Sequence, residues 1–322
     1  MVDMESALQW SRLGSRKTFG MELTRLASEH PELMVLVADV ASSSGLAEFA
    51  KKYPDQFLNV GIAEQNMFGV AAGLSKNGYK VFAVSFAPFA SMRGYEMIRS
   101  YLGYMELDVT VVGIGSGLGL GVVGNTHYGL EEISLMNSIP GMTILSPADC
   151  TETVKTVRAL MERKGPAYLR LTGVEGNPAV YKEDYEFRIG QSVLNKEGTD
   201  LAILATGTMV YEAIRTAKLL EKQGISASVH DVHTLKPMDG ELVCDLAEKG
   251  IPIVTMEEHT LKGGLGSIVA SINVQQKTPV HQIMFGLPDR FMKAGDYRYM
   301  LGQAGLNAKE MAEKIAREVK SK

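Results

Sequence analysis

Apolar residues along this chain fall into two rhythms that alternate almost from end to end. Short continuous apolar runs at 33–37, 57–60, 79–86, 108–114, 143–145 and 167–171 read as strands buried on both faces. Between them, apolar positions recur every three or four residues, as on one face of a helix, over 17–29, 46–53, 64–74, 88–102, 130–138 and 148–163. Strands alternating with helices predict βαβ units and a parallel sheet. The stretch 173–188 breaks the rhythm with Gly, Asn, Pro and a cluster of charges, as an interdomain linker does. A second series follows, with strands at 201–205, 226–231, 252–256 and 279–284 and helices at 209–222, 240–248, 265–272 and 308–319. The pattern predicts an α/β chain of two domains with mainly parallel sheets, the first over 1–182 and the second over 190–322.

Composition narrows the field. A chain of 322 residues with 45% hydrophobic content can bury two cores. A net charge of −4 without a basic cluster argues against nucleic acid or a membrane surface as partner. No apolar run approaches the ~18 residues that span a bilayer, and the first ten residues lack the basic-then-apolar pattern of a signal peptide. Cys150 and Cys244 fall in separate predicted domains without metal-like spacing, which suits two reduced thiols in a cytoplasmic protein.

Candidate chemistry gathers where predicted strands end. Glu64 opens a helix just after the strand at 57–60, where α/β sheets place ligands, although an acid there also complements the helix dipole. Phe86 and Phe89 stand at the carboxyl end of the next strand, as core aromatics or as a stacking surface. Residues 113–124 hold six glycines in twelve positions. Part of this run matches GxGxxG, but no helix opens on it, so it is a weak dinucleotide signal. It reads better as a loop whose backbone passes close to a ligand or another chain. His127 follows directly. In the second domain, Glu257, Glu258 and His259 read as a solvated strand end, and the glycines at 263, 264 and 266 as helix-entry packing.

The wording of these stretches resembles the transketolase family. GIAEQNM with GVAAGL, at 61–74, is similar to its pyrimidine-binding segment, SFAPFASMRGY to its aromatic stretch, and THYGLEEI to its His-bearing loop. Ser15-Arg16-Lys17 and Ala38-Asp39 with Ser42-Ser43 resemble its anion clamp. GTMVYEAI, HTLKPMD and EEHTLKGGLGS resemble its carboxyl-terminal domain. The resemblance implies a thiamine diphosphate pyrimidine-binding domain followed by a transketolase C-terminal domain, with transfer of a two-carbon ketol unit from a ketose to an aldose. It implies that Glu64 bonds a ring nitrogen of the cofactor's aminopyrimidine and acts as the catalytic acid–base group. Phe86 and Phe89 would stack on that ring, His127, the second catalytic residue, would contact the donor sugar's hydroxyls, and Arg16 and Ser43 would hold a substrate phosphate. Arg93 is a further substrate-binding candidate, able either to anchor an acidic group or to pair with Glu96.

Several expected pieces are missing. The Gly-Asp-Gly segment and later Asn that hold the diphosphate and its Mg²⁺ do not occur, so the chain resembles the latter half of a full transketolase. The resemblance implies a partner subunit with the diphosphate-binding domain, which holds the metal, and self-association into a heterotetramer. Ile114, Gly173 and Val123 stand where the family has a His, an Arg and an Asp, which puts the usual sugar phosphate acceptor in doubt. The alternatives are a subunit like a deoxyxylulose-phosphate synthase or a 2-oxoacid dehydrogenase beta chain, and a non-catalytic assembly subunit.

Overall fold

The computed structural model describes residues 3–172 and 176–320; Gly173 lies outside them. The first half begins with helices α1 (Met4–Leu13) and α2 (Ser15–Leu26), then β1 (Leu33–Val37), α3 (Ala47–Lys52), β2 (Phe57–Asn59), α4 (Glu64–Lys76) and β3 (Lys80–Phe86). The predicted helix at 88–102 is wound unevenly: α5 (Tyr95–Met97) is flanked by wide π turns at Phe89–Arg93 and Ile98–Gly103. Such turns are common beside functional sites. Then come β4 (Val109–Ser116), α6 (Glu132–Asn137), β5 (Thr143–Leu145), α7 (Cys150–Glu162) and β6 (Ala167–Thr172). The second half comprises β7 (Val193–Lys196), β8 (Leu201–Ala205), α8 (Met209–Glu221), β9 (Ala227–Asp231), β10 (Thr234–Lys236), α9 (Gly240–Glu248), β11 (Ile253–Thr260), α10 (Leu265–Asn273), β12 (Gln282–Leu287), α11 (Tyr297–Ala304) and α12 (Ala308–Lys320).

Two α/β domains with mainly parallel sheets result. The first sheet runs β10-β5-β6-β4-β3-β1-β2 and the second β12-β11-β8-β9-β7. Every central pairing is parallel, as continuous runs such as Leu33–Val37 and Leu201–Ala205 require. Two edge pairings are antiparallel, β7 on β9 and β10 on β5. The second of these departs from the expected separation: Thr234–Lys236, from the second half, closes an edge of the first sheet, with Thr234 opposite Leu145 and Lys236 opposite Ile144. One hydrophobic core likewise spans both halves, uniting Ile144 and Tyr168 with Leu204, Leu235 and Val269. The predicted linker is packed as well: Tyr181 and Tyr185 stack at 4.0 Å between centroids, and the Tyr181 hydroxyl donates to Asp231 Oδ2 at 2.7 Å.

Among the described residues no helix is long and apolar enough to cross a membrane. Cys150 and Cys244 are both free thiols.

Candidate active site

The parallel strands of the first sheet deliver their carboxyl ends to one edge, and five of the predicted site residues meet there. Glu64 is the first residue of α4, turned inward to 4% exposure. Its Oε1 accepts from Ser85 Oγ at 3.2 Å, near the end of β3. Arg93 Nη1 lies 3.3 and 3.4 Å from the two carboxylate oxygens. In the chain as it stands the acidic side chain beside Arg93 is Glu64. The backbone carbonyl of Arg93 is held by Gln65 Nε2 at 3.1 Å, so both neighbours at the start of α4 engage the π turn.

Aromatic rings form the adjoining wall. Phe86 and Phe89 meet edge-on with centroids 6.0 Å apart, and the Arg93 guanidinium covers Phe89 at 3.8 Å. His127 stands edge-on to both rings, at 5.8 Å from Phe86 and 5.2 Å from Phe89. Its Nδ1 is 2.9 Å from Thr126 Oγ1. Sequence reading therefore named five side chains, Glu64, Phe86, Phe89, Arg93 and His127, that the fold gathers into one cluster. The side chains fit a flat, nitrogen-bearing ring: an inward-facing carboxyl group is joined through Arg93 to the Phe89 ring, with a histidine against both rings.

Arg16 and Ser43 form a second group. Arg16 is the second residue of α2, and its Nη1 donates to the Ser43 carbonyl at 3.0 Å, in the loop after β1. That loop bends sharply: Asp39 adopts φ 58°, a costly left-handed conformation for a residue with a side chain. Asn59 locks it, donating to Asp39 Oδ1 at 3.1 Å and accepting from the Asp39 and Gly61 amides at 3.1 and 3.0 Å. Sequence reading passed over Asn59; its place at the end of β2, two residues before Gly61, was the available signal. Ile114 is fully buried in the core at the end of β4, whereas Val123 is exposed.

The solvated strand end expected at Glu257, Glu258 and His259 is not found. All three are buried at 0–1% exposure, each within a hydrogen-bond network. Glu257 accepts from the Leu265 and Gly266 amides at 2.7 and 2.8 Å, receiving the start of α10. His259 Nε2 accepts from the Ile133 amide at 3.1 Å while Nδ1 faces the Thr260 carbonyl at 2.7 Å. Glu258 Oε2 accepts from the Leu118 amide at 3.0 Å, and its backbone carbonyl accepts from Arg170 Nη2 at 2.7 Å. Arg170 is itself buried against Glu132 at 2.6 Å. The glycines do serve helix entry as expected: a Cβ at Gly264 would lie 2.0 Å from Glu257 Oε2.

A sheet edge carrying an inward-turned acid, two aromatic rings and a loop histidine, with a second α/β domain packed beside it, defines a class of two-domain enzyme subunit. Comparison with known proteins gives the family. Models described as "Transketolase, pyrimidine binding domain" and "Transketolase, C-terminal domain" match residues 11–175 and 190–311. The chain is 38% identical over 306 residues to the 6-deoxy-6-sulfo-D-fructose transketolase subunit SqwH of a Clostridium species, covering 94% of each. It is 36% identical over 296 residues to an apulose-4-phosphate transketolase subunit of Phocaeicola vulgatus, covering 92% of this chain and 94% of that protein. A solved structure described as a split gene transketolase, inactive beta4 tetramer, superposes with a TM-score of 0.85 at 37% identity, over 95% of this chain and 98% of the other. The chain belongs to the transketolase family, whose members depend on thiamine diphosphate.

Proposed function

We propose that this chain is the subunit of a split transketolase that supplies the pyrimidine side of the active site, and that it transfers a two-carbon ketol unit from a ketose to an aldose acceptor. The observation that carries this reading is the meeting of Glu64, Phe86, Phe89 and His127 at the carboxyl edge of the first sheet. When bound, thiamine diphosphate supplies the carbon nucleophile and the electron sink for breaking a carbon–carbon bond. Glu64 would hold the ring nitrogen of the aminopyrimidine and move a proton at that atom. Phe86 and Phe89 would give the ring an apolar wall and exclude water. His127 bonds hydroxyls of the donor, and Arg16 with Ser43 receives the terminal anion of the substrate. Arg93, half exposed beside Glu64, offers its remaining donors to the substrate.

A partner subunit carries the diphosphate-binding domain and the Mg²⁺, because this sequence has no Gly-Asp-Gly segment followed by the ligand Asn. In this reading the domains divide at 1–182 and 190–322, pairs of subunits assemble into a heterotetramer, and the free thiols suit a reducing cytoplasm.

The acceptor is a sugar outside the standard pentose phosphates. Ile114, Gly173 and Val123 offer no donor or acceptor where the family has His, Arg and Asp. A charge-assisted hydrogen bond contributes about 1.5–3 kcal/mol, so losing two weakens a standard substrate by two or more powers of ten. Two relatives carry apulose 4-phosphate and 6-deoxy-6-sulfo-D-fructose in their names. The test is steady-state kinetics of the chain reconstituted with its partner. We expect turnover with ketose donors and none with pyruvate, and kcat/KM for xylulose 5-phosphate with ribose 5-phosphate below about 10⁴ M⁻¹s⁻¹. Activity with pyruvate as donor overturns the transketolase reading. A standard value with the pentose phosphates overturns the substrate reading alone.

A further inference from the structure

The loop that carries His127 leaves the first sheet at Ser116 and returns at Gly129, where the Gly117 amide bonds the Gly129 carbonyl at 2.8 Å. Its footing lies in the other half of the chain. Leu118, Tyr128 and Leu130 are buried among Ala205, Met256 and Met300, in the second domain's core. Tyr128 is the immediate neighbour of His127, so one residue is anchored in the second domain while the next faces the aromatic rings of the first.

Three polar fastenings accompany this packing. Glu258 Oε2 receives the Leu118 amide at 3.0 Å, while the hydroxyls of Thr208 and Tyr297 both donate to Oε1. The Gly121 carbonyl accepts from the Gly295 amide at 3.1 Å. Asn125 Nδ2 donates to the Met292 carbonyl at 2.9 Å, and its Oδ1 accepts from the Met292 amide at 3.3 Å. Two loop glycines exist for this approach: a Cβ at Gly117 would lie 2.5 Å from Glu258 Oε2, and one at Gly121 would lie 2.3 Å from the Gly295 carbonyl.

We infer that the second domain positions the donor-binding histidine: Glu258 at the base of the loop and the segment 292–297 at its tip set the placement of His127 over Phe86 and Phe89. Their bonds reach the loop at Leu118, Gly121 and Asn125, so they act on donor binding through His127 and leave the cofactor's grip alone. The proposal rests on the reading of His127 as a donor ligand. It gives the second domain a part in the active site.

The test uses the reconstituted two-subunit enzyme with two variants, Asn125→Ala, which removes the paired bonds to Met292, and Gly121→Ala, which wedges the loop away from Gly295. Losing such bonds should raise KM for the ketose donor about five- to tenfold in each variant. We expect kcat and the half-saturating thiamine diphosphate concentration to stay as in the parent enzyme. The His127 ring proton resonance should move, because its ring-current displacement by Phe86 and Phe89 depends on loop placement. Where His127→Ala raises donor KM, an unchanged donor KM in both variants overturns the proposal, and cofactor half-saturation rising in step with KM overturns it in any case. His127→Ala is the control. If it leaves donor KM unchanged, the donor-ligand reading of His127 fails, and the His127 resonance then decides the positioning: a shift in both variants supports it and its absence overturns it.

Discussion

Arg93 Nη1 lies 3.3 Å from Glu64 Oε1 while the same guanidinium covers the Phe89 ring at 3.8 Å from its centroid. One side chain thus neutralises the inward-facing acid and lies on the aromatic ring beside it. A planar, weakly hydrated cation suits both contacts at once. Glu64 is 4% exposed and Arg93 about half exposed, so the acid gives up more hydration than its partner does. Removing the cation leaves a shielded carboxylate without its charge partner.

Arg93→Ala should therefore destabilise the isolated chain by about 1–2 kcal/mol, discounted for the exposure of the arginine. In a double-mutant cycle with Glu64→Gln, read by urea unfolding, the two substitutions should cost less together than apart. A coupling below about 0.5 kcal/mol would mean that the contact contributes nothing beyond additivity.

Glu64→Gln keeps the shape of the side chain and removes its ability to carry a proton. In the reconstituted enzyme it should lower kcat by about 10²–10⁴-fold, the range of a positioned acid–base group. Circular dichroism should remain unchanged. Hydrogen–deuterium exchange at the thiazolium carbon of the bound cofactor should slow in parallel; exchange at the parent rate would assign activation to another residue.

The isolated chain should bind thiamine diphosphate weakly even with Mg²⁺ present, and gain it only with the partner subunit. Glu64, Phe86 and Phe89 address one ring of the cofactor, and the diphosphate supplies most of the charge available for binding. Calorimetric titration checks this directly. Tight, Mg²⁺-dependent binding by this chain alone would contradict the division of the site between subunits.

A buried acidic cluster makes stability depend on pH. Asp149 Oδ2 accepts from the Val180 and Tyr181 amides, Tyr185 donates to Glu152, and Tyr181 donates to Asp231. Burial raises the pKa of all three carboxyls, Asp149 to about 6, and the Glu152 charge raises Asp231 further. Each group holds its proton more tightly folded than unfolded. The cluster's stabilisation is therefore complete below about pH 4 and is lost as pH rises through about 6 and beyond. Asp231→Asn removes one ionisation and leaves an acceptor for Tyr181. Relative to the parent, it should be more stable at pH 8 than at pH 5 by urea unfolding. An equal difference at both values would show that Asp231 does not titrate with folding.

Much of this was legible in the chain itself. Runs such as Leu33–Val37 and Leu201–Ala205 are apolar at every position, and such runs become strands covered on both faces. The words around Glu64, Phe86 and His127 pointed to side chains that do meet. What escaped were elements without a strong local signature. Val193–Lys196 is a half-exposed edge strand with an Asn and a Lys, and Thr234–Lys236 is three residues long. Glu257, Glu258 and His259 look like surface residues because charge usually avoids the interior. Their burial depends on amides and hydroxyls contributed by Leu118, Ile133, Thr208 and Leu265. The Arg93–Glu64 pair spans 29 positions, beyond any local spacing rule.

The strand Thr234–Lys236 shows why two recognisable domains need not be two separable pieces. It supplies the outermost neighbour of Thr143–Leu145, so cutting the chain at its linker and removing the second half would strip that strand's outer edge of its hydrogen-bond partners. An edge exposed in this way is a template for adhesion between molecules. The same excision would uncover the apolar faces that Ile144 and Tyr168 share with Leu204 and Leu235. Fragments designed from the domain boundaries alone would therefore be sticky, and a nick in the linker would leave both pieces clasped together.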